Sequence, residues 1–219
     1  MSRWNNHTMG ITLRAMAVLA FSGCALTSKA DLVDIRYFSP ERVKAEPASE
    51  VARPKPFDEA LRVKLGRVLS GSNLRERIAY RDDEYELGYY EELRWTERPE
   101  TYVRRGLARS LFETHRLHRV FSGDAPTLEV EVLAFDDQRL STGRSARVQL
   151  RVILYEDAGV LFEDTLTFDS RVASDEPMIE DVIAAMASAL DAASEDVSRR
   201  VHKALETRAA AATSTAKAP

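Results

Sequence analysis

Apolar and polar residues alternate along much of the chain, and the period of that alternation names the elements. Leu61, Val63 and Leu65 alternate with Arg62, Lys64 and Gly66 until Ser70-Gly71-Ser72 ends the run, which predicts a strand and a turn. From Glu84 to Trp95 the odd positions read Tyr85, Leu87, Tyr89, Glu91, Leu93 and Trp95, and the even ones Glu84, Glu86, Gly88, Tyr90, Glu92 and Arg94. Period 2 predicts a half-buried strand with an aromatic inner face, Tyr90 and Arg94 pointing outward. The period then lengthens: Val103, Leu107 and Leu111, joined by Ala108 and Phe112, form one stripe behind Pro99, which predicts a helix from 99 to about 115. Strands follow at 128–134, 146–154 and 160–168, the last two joined by Glu156-Asp157-Ala158-Gly159, so the three should be antiparallel neighbours. A long helix from about Glu176 to Leu205 closes the pattern, with Ser174 or Asp175 as N-cap and Ile179, Val182, Ile183, Met186, Leu190, Val197 and Val201 on one seam. The expected class is α+β: an antiparallel sheet with two helices packed on one face, forming a single compact domain.

The ends of the chain do not share this regularity. Residues 25–58 hold Pro40, Pro47, Pro54 and Pro56 among charged and small residues, as a tether would. Within it only 31–38, where Val33, Ile35 and Tyr37 alternate with Asp34 and Arg36, could add a short strand at a sheet edge. Residues 207–219 are mostly Ala, Thr and Ser, and are expected to fray as a disordered tail. At the start, Arg3 and Arg14 precede the apolar run Ala15-Met16-Ala17-Val18-Leu19-Ala20-Phe21, too short for a permanent span of ~20 residues. Residues 1–23 therefore read as a signal peptide. The stretch Leu19-Ala20-Phe21-Ser22-Gly23-Cys24 resembles the lipobox of bacterial lipoproteins, with Phe21 in place of the usual Leu. That resemblance implies a lipidated Cys24, palmitate among its acyl chains; a small buried Cys, or an ordinary signal with a chance Cys, are the alternatives. The domains so defined are a signal at 1–23, the lipidated Cys and linker at 24–58, an α+β domain at 59–206 and the tail.

Composition narrows the function classes. A chain of 219 residues, 44% hydrophobic and 30% charged, suffices for one core and does not need two. Its formal charge of -4 becomes -6 once the basic signal is removed, which argues against nucleic acid as a partner. Cys24 is the sole cysteine, so no intramolecular disulfide can form. His115 and His118 could share a helix face but lack a third ligand spaced for zinc, and a cation near a helix C-terminus is the plainer reading. No phosphate loop, Gly-x-Gly-x-x-Gly or Gly-x-Ser-x-Gly motif occurs, so neither a metal, a cofactor nor a catalytic set is expected. Asp82-Asp83-Glu84 and Asp136-Asp137 read as solvated loop tips. Tyr80, Tyr85, Tyr89, Tyr90, Trp95 and Tyr102 lie close to Arg94, Arg98, Arg104, Arg105 and Arg109, residue types favoured at binding surfaces, although the odd-numbered aromatics could simply be core. Tyr90, Arg94 and Arg98 are the candidate partner-binding residues.

Several segments together resemble the ABC-type transport auxiliary lipoprotein family: Gly66-Arg67-Val68, Ser72-Asn73-Leu74-Arg75-Glu76-Arg77-Ile78, Tyr85-Glu86-Leu87-Gly88-Tyr89-Tyr90, Arg94-Trp95-Thr96-Glu97-Arg98-Pro99 and Ala125-Pro126-Thr127-Leu128-Glu129-Val130-Glu131. The resemblance runs over roughly residues 58–205. It implies a non-enzymatic lipoprotein at the periplasmic face of the bacterial outer membrane, a component of systems pairing an ABC transporter permease and ATPase with an MCE-family protein to move lipid. Phospholipid is then a candidate ligand and the membrane is reached by the anchor. The alternative is a structural or assembly lipoprotein of the outer membrane with no transporter partner. Where the family usually has Phe-Glu-Glu, this chain has Phe135-Asp136-Asp137.

Overall fold

A computed structural model describes residues 34–41, 58–83, 85–141, 143–157, 159–174 and 176–216. The expected signal, Cys24 and most of the linker lie outside the described residues, as does Asp175.

The cleanest alternation builds the centre of the sheet. Ala146, Val148, Leu150, Val152 and Leu154 are wholly buried, and the strand carrying them, β7 (Gly143–Glu156), pairs antiparallel on both edges, with β6 (Thr127–Leu140) and β8 (Gly159–Arg171). Both hairpins have two-residue loops, and Gly143 and Gly159 take φ of 129° and 138°, where a side chain would be strained. The polar face of this meander carries a ladder, Arg147 to Asp169, Gln149 to Thr167 and Arg151 to Glu163, that leaves the apolar face for the helices.

The rest of the sheet corrects the antiparallel expectation: it is mixed. The far edge of β6 is shared end to end by two strands, β2 (Asp58–Ser70) along 127–132 and β3 (Arg77–Arg81) along 136–138, both parallel to it. Strand β4 (Gly88–Trp95) is antiparallel to β3, while β1 (Arg36–Phe38) and β5 (Leu117–Arg119) add parallel strands to β4 and β2. Periodicity reports which face a residue occupies and is silent about which strand lies beside it, so direction was not legible. The edge strand expected within 31–38 is β1. Strand β3 was missed because five residues flanked by arginines give no usable period.

Bulges decide the faces. At Leu133 the register of β6 slips, so Leu128, Val130 and Val132 point to the helices before it and Phe135 and Asp137 after it. A second irregularity separates the pairs Ala79 with Tyr89 and Arg77 with Arg94, so in β4 Tyr90 turns inward while Leu93 and Trp95 also face the core. This reverses the expected outward placement of Tyr90. Tyr85 leaves the strand altogether and is 90% exposed, because the Asp83 carboxylate accepts the N–H groups of Tyr85 and Glu86 in a turn. A third bulge, at Gly66, needs glycine: a Cβ there would lie 2.8 Å from Thr127 Cγ2 and 3.0 Å from the Leu128 carbonyl oxygen.

Two helices cover the apolar face. Helix α1 (Pro99–Ala108) passes into a six-residue π-helical segment, Arg109–Thr114, so the single helix expected to 115 is completed in a different form. Helix α2 (Ile179–Ala216) begins where the Asp181 carboxylate accepts the Met178 N–H, later than the expected start at Glu176. It continues to Ala216, beyond the expected end at Leu205 and through residues assigned to a disordered tail, because alanine is the best intrinsic helix former. The seam read from the sequence is the buried one, with Met186, Val197 and Val201 wholly enclosed. The helices cross closely at Gly106, where a Cβ would stand 2.5 Å from Ser194 Oγ. Beneath them Trp95 meets Phe135 edge-on at 5.3 Å and Tyr102 at 6.1 Å.

Candidate functional site

Just past the Leu133 bulge, β6 carries two consecutive aspartates that are 1% and 0% exposed, Asp136 and Asp137. They are not the solvated loop tip expected of them: β6 runs on to Leu140, and strand alternation sends the two carboxylates to opposite faces. On the outer face Asp136 accepts from Arg81 Nε at 3.1 Å and from the Gln138 amide. Burial raises its pKa, against the pull of Gln138 and Arg81.

On the helix face Asp137 organises a denser set. Tyr90 donates its hydroxyl to Oδ2 at 2.6 Å, Arg144 donates to both oxygens at 2.7 and 3.0 Å, and Arg139 donates at 3.2 Å. Arg144 also reaches the Tyr90 hydroxyl at 2.8 Å and the Pro177 carbonyl at 3.3 Å, binding the strand to the segment that starts α2. The guanidinium of Arg139 lies 3.9 Å from the ring centre of Tyr80 and 4.7 Å from that of Tyr90. Burial and the Asp137 hydrogen bond raise the pKa of the Tyr90 hydroxyl, and Asp137 raises that of Arg144. The phenol thus stays protonated and donates. This geometry ties β3, β4, β6 and β7 to the segment that starts α2.

A second polar clasp joins the helices. The π-helical turn, closed by the His115 N–H on the Ser110 carbonyl, aims Ser110 Oγ at Glu195 (3.1 Å) while His115 Nε2 meets the same carboxylate at 2.8 Å. Burial alone would raise the Glu195 pKa, but the bonds to His115 and Ser110 outweigh it and the net shift is downward. His115 is therefore an interhelix partner, beyond the simple end-of-helix cation expected. His118 sits in β5, not on the helix face expected for it.

Of the residues expected to meet a partner, Tyr90 belongs to the Asp137 cluster, Arg94 is half-buried and donates to the carbonyls of Tyr90 and Leu93, and Arg98 pairs with Glu76 at 3.2 Å on the surface. The structure does not gather them into one patch. Cys24 lies outside the described residues. The buried Asp137 set escaped the sequence reading, although one signal was present: the hairpin glycine Gly143 allowed the alternation to extend past Ala134 and carry both aspartates into the sheet. Among the described residues, no group of three or more His, Cys, Asp or Glu is placed to hold a metal. A recess of about 920 Å³ between β8 and α2 is lined by Leu161, Phe162, Asp196, Arg200 and Lys203. Among the described residues no helix is long and apolar enough to cross a membrane.

The comparisons agree with this architecture. The family described as the ABC-type transport auxiliary lipoprotein component matches residues 46–201. No curated protein sequence matches the chain. A Xanthomonas campestris protein of known crystal structure is similar in fold, with a TM-score of 0.61 at 15% identity over 70% of this chain and 93% of that one. A second crystal structure, of an uncharacterized protein, gives 0.58 at 12% identity over 77% and 99%.

Proposed function

Because the chain belongs to the ABC-type transport auxiliary lipoprotein family, we propose that it is the lipid-anchored, periplasm-facing component of an ABC and MCE-type lipid transport system. Its role is auxiliary and not catalytic. Cys24 provides the anchor in the inner leaflet of the outer membrane, where each buried acyl methylene contributes ~0.8 kcal/mol, so several chains hold a domain without a spanning helix. The linker sets the reach, and the α+β domain docks the periplasmic end of an MCE-family protein whose inner-membrane partners are the permease and ATPase.

The observation that carries this reading is the family match across nearly the whole folded domain, joined to a lipobox-like stretch ahead of it. The interior supports it in kind: the buried carboxylates of Asp136 and Asp137 are engaged by Arg81, Tyr90 and Arg144 in structural clasps, as suits a binding component. The test is capture of the tagged, membrane-extracted protein from detergent-solubilised envelopes. Specific recovery of an MCE-family protein with the permease is expected. Recovery of outer-membrane assembly proteins alone would assign the chain to the structural class instead.

A further inference from the structure

The outer face of the sheet holds an arrangement that folding alone does not favour. Tyr37, Arg94 and Arg77 are consecutive register partners across β1, β4 and β3, and therefore stand side by side on one face. Phe38, Trp95 and Ile78, their neighbours in sequence, all pack into the core, which fixes the row as outward. Two arginines directly opposed across a strand pair repel. Among the described residues neither is relieved by an acid: Arg94 donates to the carbonyls of Tyr90 and Leu93, and neither arginine forms an ion pair. Glu92, exposed and two residues before Arg94, faces the same side by strand alternation and forms no ion pair with either arginine among the described residues. Beside the arginines Tyr37 is 64% exposed and Ile35, two residues earlier, is 42% exposed.

We propose that Ile35, Tyr37, Arg77 and Arg94 form a membrane-docking surface that takes the phosphate headgroups of anionic phospholipid. The pairing of chemistries is that of an interfacial site: guanidinium groups bind phosphate with several donors each, while an aromatic and an aliphatic side chain enter the headgroup boundary. The row is also firmly held. Arg36 on the opposite face of β1 pairs with Glu180 at the start of α2, and Glu41 just beyond accepts two hydrogen bonds from Arg105, at 2.7 and 2.8 Å. The membrane is within reach on the anchored reading above, on which the occupant rests: a fully extended chain from Cys24 to Ile35 spans at most about 40 Å. An otherwise acidic chain places this opposed arginine pair beside the strand nearest its anchor.

The test uses the mature chain from residue 24 with Cys24→Ser, so that binding by this face is read without the acyl chains. Cosedimentation is measured with vesicles of phosphatidylethanolamine and phosphatidylglycerol and with vesicles of phosphatidylcholine. Binding to the anionic vesicles alone is expected, weakening at about 0.5 M salt as surface charges are screened. Each arginine near an anionic surface contributes roughly fivefold, so Arg77→Ser with Arg94→Ser should lower partitioning by about thirtyfold. Ile35→Ser with Tyr37→Ser should also weaken it, and Arg171→Ser should not. Thermal melts of all variants report whether the fold is intact. Absence of binding, equal binding to neutral vesicles, or wild-type partitioning by a folded arginine variant would overturn the proposal. So would loss of envelope-protein capture by that variant with vesicle binding retained, which would assign the row to an acidic protein partner. Because the assay omits the lipid anchor, a failed docking surface and a failed anchor are read separately.

Discussion

Asp137→Asn removes the charge on which the buried cluster is centred, and the structure gives the size of the effect. The carboxylate is inaccessible to solvent and satisfies Tyr90 Oη at 2.6 Å, Arg144 at 2.7 and 3.0 Å and Arg139 at 3.2 Å. Breaking a buried ion pair from one side costs about 3–5 kcal/mol, because the partner charge stays behind without compensation. The lower end applies here: Arg144 and Arg139 keep 23% and 31% side-chain exposure, Arg144 retains the Pro177 carbonyl, and Arg139 retains its place over the two tyrosine rings. About 3 kcal/mol, at 2–4 °C per kcal/mol for a chain of this size, is a fall of roughly 6–12 °C in Tm. Differential scanning calorimetry at neutral pH measures it. Asp82→Asn is the control, since that carboxylate is 55% exposed and 3.5 Å from Arg139, and it should move Tm by less than about 2 °C. A Tm for Asp137→Asn within about 2 °C of wild type would refute the reasoning, as would an equal fall in the control.

Two further perturbations test other parts of the fold. Gly66→Ala sets a Cβ against Thr127 and the Leu128 carbonyl in a parallel strand pair, and chemical denaturation should show a loss of about 1–3 kcal/mol. Glu195 has a depressed pKa in the folded state, so its contribution is present above the ordinary carboxylate value, ~4.3, and is lost as pH falls through the folded value. The stability difference between wild type and Glu195→Gln, measured by urea unfolding, should therefore be widest at neutral pH and close below about pH 4; a difference independent of pH would contradict the sign.

The parts of the fold that were legible are those in which one physical signal dominates. The seam of α2 and the β6–β7–β8 meander follow directly from burial with a period of 3.6 or 2, and the short edge strand showed in the alternation of Ile35 and Tyr37 with Arg36. What escaped the sequence depends on events of one residue. The slip at Leu133 carries Asp137 into the interior, and the irregularity in β4 turns Tyr90 toward it, so a polar cluster forms from residues that strict alternation places elsewhere. The π-helical turn does the same for Ser110 and His115. Parallel pairing of β2 and β3 with β6 joins residues some 60 positions apart through crossovers, and nothing in a local pattern encodes such a neighbour. The outward arginine row was half visible: Arg94 was read as outward, but its pairing with Arg77 and Tyr37 needed the register.

On the proposed function Cys24 ties the domain to the membrane through its acyl chains. Intact-mass spectrometry of the protein extracted from washed outer membranes should find a mature chain that begins at Cys24 and carries the added mass of acyl chains, and Cys24→Ser should abolish that species. A mature terminus at any other residue, or a chain beginning at Cys24 without acyl mass, would contradict it.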